Sequence, residues 1–442
     1  MNNGTEIKNW YLSQFKDFEN SLNGESVKPI HKLRKEAIEN FSNLNFPTLH
    51  DEDWRYTNIA PLLKYNFKPS DGLSDFDEKK IKNFLQNKFS ANLLVFVNGH
   101  FVKKLSKTKN LPDGVIIGNI ASEIKNGSPV INEHFSKYAN YKEQIFTALS
   151  TAFTKDGAFV YVPDGKIVEE PIHILFITDS KEKILTQPRN LFVAGRNSQV
   201  SIIEHYASSS EGVYFTNVVT EIAAEQDSIV DHIKLQEESI NSLHISRIEI
   251  DQERGSNFSS HSISFGGGIA RNDIQSRFND QGSECTLNGL YLLKGKQLYD
   301  SHTMIDHARP YCNSHEHYKG ILDDESRGVF NGKVLVRPDA QKTNAFQENN
   351  NIILSNDALV NTKPQLEIFA DDVKCSHGAT VGQLDMDSLF YLKSRGIGEE
   401  KARTILIHAF ASGIVKSIKI EKVKNYLEDI LENTFNKESS RD

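Results

Sequence analysis

The sequence predicts a mainly β protein in three parts: a helical front, a long β middle and a helical tail. Two observations carry this. From Ala158 to Leu354, short alternating apolar and polar runs follow one another, punctuated by Gly, Asn and Asp and uninterrupted by a long helical segment. On either side, apolar residues recur at helical spacing instead. A long run of strands without helices argues against a doubly wound α/β sheet. It leaves a sandwich, a barrel or a β-helix. No motif repeats at a fixed period, and the pattern favours a β-helix with irregular turns. The divisions fall at residues 1–145, 146–383 and 384–442.

In the front part, Ile7, Trp10, Tyr11, Phe15, Phe18 and Leu22 predict one helix, with Thr5 as its N-cap and Gly24 just past its end. Pro29 suits the first turn of a second, with Leu33, Ala37, Ile38, Phe41 and Leu44 on its inner face. Asp53 to Thr57, reading DWRYT, is an aromatic-basic patch expected to form a packed loop, with Arg55 stacked on a ring. Phe84 to Val97 and Val115 to Ile120 read as short strands or mixed elements.

The middle opens with Ala158 to Val168 and Pro171 to Ile177 as strands about a turn. Further strands are predicted at Gln199–Glu204, Ser228–Leu235, Leu243–Ile250, Asn257–Phe265, Asp273–Phe278, Glu284–Leu292, Val329–Val336 and Asn351–Leu354. Gly266 to Gly268 follows no strand-to-helix transition, so it reads as a tight turn rather than a phosphate loop. His302, His307, Cys312, His315 and His317 crowd one segment. His315 and His317 would share a face of a strand, as two metal ligands should. Their spacings match no closed zinc site, however, and a polar solvent-facing strand is the plainer reading. The pairs Asp323/Asp324 and Asp371/Asp372 do not form a glycosidase dyad, because adjacent strand residues face opposite ways.

The net charge of −8 and the absence of a long Lys/Arg run argue against nucleic acid as the main partner. No apolar run reaches the ~18–20 residues of a membrane span. The opening residues mix acids, bases and aromatics, unlike a signal or transit peptide. Three cysteines, Cys285, Cys312 and Cys375, are too few for a disulfide framework, and a reducing cytoplasm is the expected setting. The chain contains no GxxxxGK[ST] run, so any ATP hydrolysis in its function falls to another subunit.

The chemistry-bearing stretch is Asp371 to Gly396. If its start is extended, Val373, Cys375 and His377 share one face, with neighbours about 7 Å apart. A thiolate and an imidazole at that separation reach one metal or cluster. Two ligands do not complete a four-coordinate shell, so the rest must come from elsewhere in the chain or from another chain. Cysteine is also among the most buried residue types, and on spacing alone packing stays the commoner role for this pair.

Beyond His377 the helices return. Asp385 or Asp387 caps a helix through Leu389, Phe390 and Leu392 that Gly396 ends. Ala402, Ile405, Leu406, Ala409 and Phe410 form a second stripe, with Gly413 just past its end. Ile420, Val423, Leu427, Ile430 and Leu431 form a third, and Asn436 to Asp442 is a polar tail.

At DDVKCSHGATVGQLDMDSLFYLKSRGI the chain resembles the SufB/SufD family of the SUF iron–sulfur cluster assembly machinery, and within it the SufD branch. DWRYTNI from Asp53, ALSTAFTKDGAFVYVP from Ala148 and YKGILDDESRGVFNGKVLV from Tyr318 extend the resemblance along most of the chain. It implies a right-handed parallel β-helix between helical N- and C-terminal domains. It also implies a non-ATPase scaffold that pairs with SufB through the β-helix ends and docks the SufC ATPase on its C-terminal helices. His377, with Cys375 beside it, matches the family's site for iron or a nascent, transient iron–sulfur cluster shared with SufB. The SufC contact would lie between Asp385 and Ser412, involving Leu389, Phe390, Tyr391, Arg395, Glu399, Lys401 and Arg403. A homodimer in isolation is a further possibility. The competing class is a free-standing β-helix enzyme, either a polysaccharide-acting one or a metal enzyme using His302 to His317.

Overall fold

A computed structural model describes residues 3–22, 25–72, 79, 81, 84 and 89–436. The β middle is a solenoid with two parallel walls. Each coil gives one strand to each wall, and each strand pairs in parallel register with the strand one coil away. In one wall the register runs Gln199, Ile229, Asn257, Glu284, Asn313, Asn344, Lys374, a step of roughly 30 residues. The other wall runs Phe215, Leu243, Ile269, Leu298, Arg327, Leu359. This is the predicted β-helix.

Period-two alternation sorts the side chains. Val200, Ile202, Val230, Phe258, Cys285 and Leu287 point inward from the first wall and meet Val218, Ile222, Ile248, Ile274, Ile305 and Phe330 from the second. The chain reverses at one corner through left-handed residues at equivalent places, Asn197, Asp227, Gly255, Gly282, Tyr311 and Lys342. At five of them, all but Gly282, the backbone N–H bonds across to the next coil, as Asp227 does to Arg254 and Lys342 to Asp372. Gly266–Gly268 is the expected tight turn: Gly267 has φ +82°, and a side chain on Gly266 or Gly268 would strike the backbone of Glu238 or Ile240.

Helical layers cover both outer faces. Helices Asn3–Asn20, Pro29–Asn43 and Ile145–Ala152 pack Tyr11, Phe15, Phe41, Phe146 and Leu149 on Phe215, Leu243 and Ile245 of the second wall. Helices Glu399–Ser417 and Glu421–Asn436 pack Ile407, Ile414, Val415, Val423 and Leu427 on Ile233, Leu235, Ile263 and Leu290 of the first. The chain enters them through the helix Met386–Ser394, capped by Asp385 and stopped at Gly396, φ +83°, as expected.

Two helix ends differ from expectation. Thr5 lies inside the first helix, which begins by Asn3, so it does not serve as the N-cap. Gly413 does not end its helix but sits within Glu399–Ser417, where the buried stripe continues through Ile414 and Val415. The Gly24 stop and the tail from 437 onward lie outside the described residues, as do 85–88 of the Phe84–Val97 segment. Its described strand is Asn92–Val97, and Val115–Ile120 contains the strand Ile116–Asn119.

Candidate functional site

The final strand of each wall, Leu359–Ile368 in one and Lys374–Gly382 in the other, pairs on one side only. Both walls therefore end in unpaired backbone edges at the same end of the solenoid, among the described residues. Such an edge is a ready template for another strand. Apolar side chains stand exposed around it, among them Phe369 at 63%, with Leu359, Ile368 and Val381.

Register decides which way the Cys-x-His pair points. Cys375 lies beside Ala345 and His377 beside Gln347, both inward and buried. Cys375 and His377 therefore share the inward face, as the alternation predicted, and His377 is exposed because no further coil covers it. Cys375 packs against the apolar cluster of Val334, Val336, Ala345 and Ala370. Burial pushes its thiol above the usual range. Asp372 is turned away and ion-paired with Lys342. No group of three or more His, Cys, Asp or Glu residues converges on a metal position among the described residues. Cys375 and His377 thus lie side by side on the inward face at an open end of the solenoid.

The histidine-rich segment does not converge. His302 lies on the outer face of one wall, 3.0 Å from Asp300. His307 is buried and bonds Ser314, and Cys312 is buried in the apolar interior. His315 and His317 do share the outer face of the other wall, where His315 stacks on Phe346 and His317 faces Glu348. That spread is incompatible with a single metal centre built from the five.

The aromatic-basic patch is a packed loop, as read, and Arg55 lies over Tyr56 at 5.8 Å. Its anchoring stack is another one: buried Arg271 lies 3.8 Å over Trp54. Arg271 also pairs with Asp273 at 2.9 Å and Asp300 at 2.7 Å, and Asp300 accepts from Thr57. Trp54, Phe146, Arg247, Arg271 and Asp273 line a cavity of about 230 Å³ beneath the loop. The i, i+2 spacing of Arg271/Asp273 and Asp300/His302 was the available signal, since each pair shares a strand face.

On the C-terminal helices Phe390 is 74% and Tyr391 55% exposed, beside exposed Met386. Arg395 lies 5.2 Å over the Tyr391 ring, and Glu399 is paired with Lys393. Lys401 is exposed and Arg403 half-buried. Leu389 is buried, its side chain withdrawn from this surface. No helix among the described residues is long and apolar enough to cross a membrane.

Comparison with known proteins accords with this architecture. Residues 176–410 match the family model "SUF system FeS cluster assembly, SufBD core domain", and residues 5–174 match the SufBD protein N-terminal region. A SufBD family iron–sulfur cluster assembly protein of Synechocystis is 34% identical over 409 residues, covering 89% of this chain and 88% of its own. The iron–sulfur cluster assembly protein SufD of Escherichia coli is 28% identical over 393 residues, covering 88% and 89%. SufD of Bacillus subtilis is 26% identical over 412 residues, covering 91% and 93%. The chain belongs to the SufBD family and is a subunit of the SUF iron–sulfur cluster assembly system.

Proposed function

We propose that this chain fills the SufD role, a non-catalytic scaffold that lends one side of a shared assembly site. The observation that carries the reading is the placement of Cys375 and His377 on the inward face of a terminal coil whose backbone edges are unpaired. A SufB-type solenoid docked there would pair the free strand edges, cover the exposed apolar rim and bring its own donors to the mouth. The cargo is iron and the nascent cluster; the sulfur-accepting cysteine would belong to the partner. The His377 imidazole would offer a nitrogen donor to iron, and Cys375 beside it a thiol that would bind with loss of its proton.

The C-terminal helices serve a second partner. Met386, Phe390 and Tyr391, flanked by Arg395, Glu399 and Lys401, suit a SufC-type ATPase, which supplies the hydrolysis this sequence has no phosphate loop to perform. Free cysteines throughout suit a reducing cytoplasm. Co-expression with a SufB-type chain and a SufC-type ATPase, followed by native mass measurement, tests the reading. A complex holding all three is the expected result. A chain that stays apart from both partners overturns it.

A further inference from the structure

The inward column that ends at His377 continues behind it. Register places Gln347 beside His377, and Glu316 beside Gln347. Both side chains are 3% exposed. The Gln347 amide donates from Nε2 to Glu316 Oε2 at 2.5 Å. Its carbonyl Oε1 then has no partner, although it is shut off from solvent. A buried acceptor left unpaired is destabilising, so such a group calls for a partner.

The surroundings fix how the amide lies. Its nitrogen end is held to the coil behind, and the oxygen end, about 120° away in the amide plane, is turned from Glu316. In the facing wall Gly332 leaves the space, because a side chain there would collide with Gln347 Nε2. Glu316 differs from the other interior acids, Glu204 and Glu238, which are paired with His232 and His244. It has no basic partner among the described residues, and Thr303 lies beside it. Glu316 is thus placed to orient the amide, as outer-shell carboxylates orient metal ligands.

We propose that Gln347 is a third donor from this chain to the cargo metal, its carbonyl oxygen held toward the mouth by Glu316. The proposal rests on the reading of His377 as a ligand. Adjacent strands lie about 4.8 Å apart. A cation with bonds of ~2.0–2.2 Å can therefore bridge an imidazole nitrogen on one coil and an amide oxygen on the next. The donor set becomes one sulfur, one nitrogen and one oxygen, suited to a ferrous ion before sulfide arrives.

The test uses the full chain co-purified with its SufB-type partner, titrated anaerobically with Co²⁺ as a spectroscopic stand-in for Fe²⁺. Gln347→Met keeps the side-chain volume and removes the oxygen; it should weaken Co²⁺ binding about ten-fold and alter the visible d–d bands. Gln347→Asn, which draws the amide back, should give a smaller shift of the same kind, and Glu316→Leu should weaken binding by releasing the amide. His377→Ala should abolish binding. If both Gln347 variants keep the wild-type affinity and spectrum while His377→Ala abolishes them, Gln347 is no donor and the His377 reading stands. If His377→Ala itself binds as wild type does, that reading fails and this proposal with it.

Discussion

Lys363, on the terminal strand of one wall, is ion-paired with Glu52 at the head of the N-terminal aromatic loop. The contact carries the loop to the edge of the solenoid's open end. Both side chains are substantially exposed, so water screens the pair and it contributes little. What fixes the loop is the layer beneath, where Arg271 is held between Trp54, Asp273 and Asp300.

Removing that arginine should therefore do far more than removing the lysine. Arg271→Met leaves Asp273 and Asp300 buried without their base, a loss of about 3–5 kcal/mol. Lys363→Met should cost far less, because its pair with Glu52 is exposed to solvent. Urea denaturation of the two variants decides this, and equal losses would contradict the assigned hierarchy.

Glu316 sets a pH dependence. Burial raises its carboxyl from the ordinary value to about 7, while contacts with Thr303 and Gln347 work the other way. The folded chain thus keeps a proton that the unfolded chain has released. The stability it contributes is full below the ordinary carboxylate pKa, falls as pH climbs to about 7 and is level beyond. Glu316→Gln lacks this fall. The variant should gain on wild type by on the order of 3 kcal/mol between pH 4.5 and 8, read from denaturation midpoints at each pH. Parallel pH profiles would show that Glu316 is ionised throughout.

Two glycines should respond oppositely to alanine. At Gly413, inside a helix, an added Cβ meets only Lys319 Nζ at 3.5 Å, so Gly413→Ala should stabilise by ~0.5–1 kcal/mol. At Gly320 it would run into Tyr291 and Asn351 in the packed interior, and Gly320→Ala should destabilise by ~1–3 kcal/mol. Thermal melts of both variants check the pair.

Phe390→Asp together with Tyr391→Ala should end co-purification with the ATPase and leave the melting temperature within a few degrees of wild type. Both rings are exposed, and surface changes away from packed features usually cost within about 0.5 kcal/mol. Retention of the ATPase by this variant would move the docking surface elsewhere.

Strands with one wet face were legible from alternation, and Arg327–Val336, read as Val329–Val336, is the plain case. Phe215–Ala224 was not, because it is buried on both faces and its FTNVVTEIAA shows no alternation. Leu298–His307 hid behind its acids and histidines, which a solenoid with polar ladders accommodates inside and out. The coil itself left no fixed motif because its equivalent corners hold Asn197, Asp227, Gly255, Gly282, Tyr311 and Lys342. Asn, Asp and Gly suit a left-handed corner, whereas Tyr311 and Lys342 are held there by the register of the coils on either side. The shared face of Cys375 and His377 followed from strand spacing alone. Gln347 did not, since it lies a full coil away and only the register of the wall brings it beside His377.

The most direct measurement is cluster formation by the full chain co-expressed with a SufB-type chain and a SufC-type ATPase, comparing wild type with His377→Ala. Iron and acid-labile sulfide per complex should drop to background in the variant, while native mass shows the assembly intact. An intact variant complex that builds clusters at the wild-type level would remove His377 from the site.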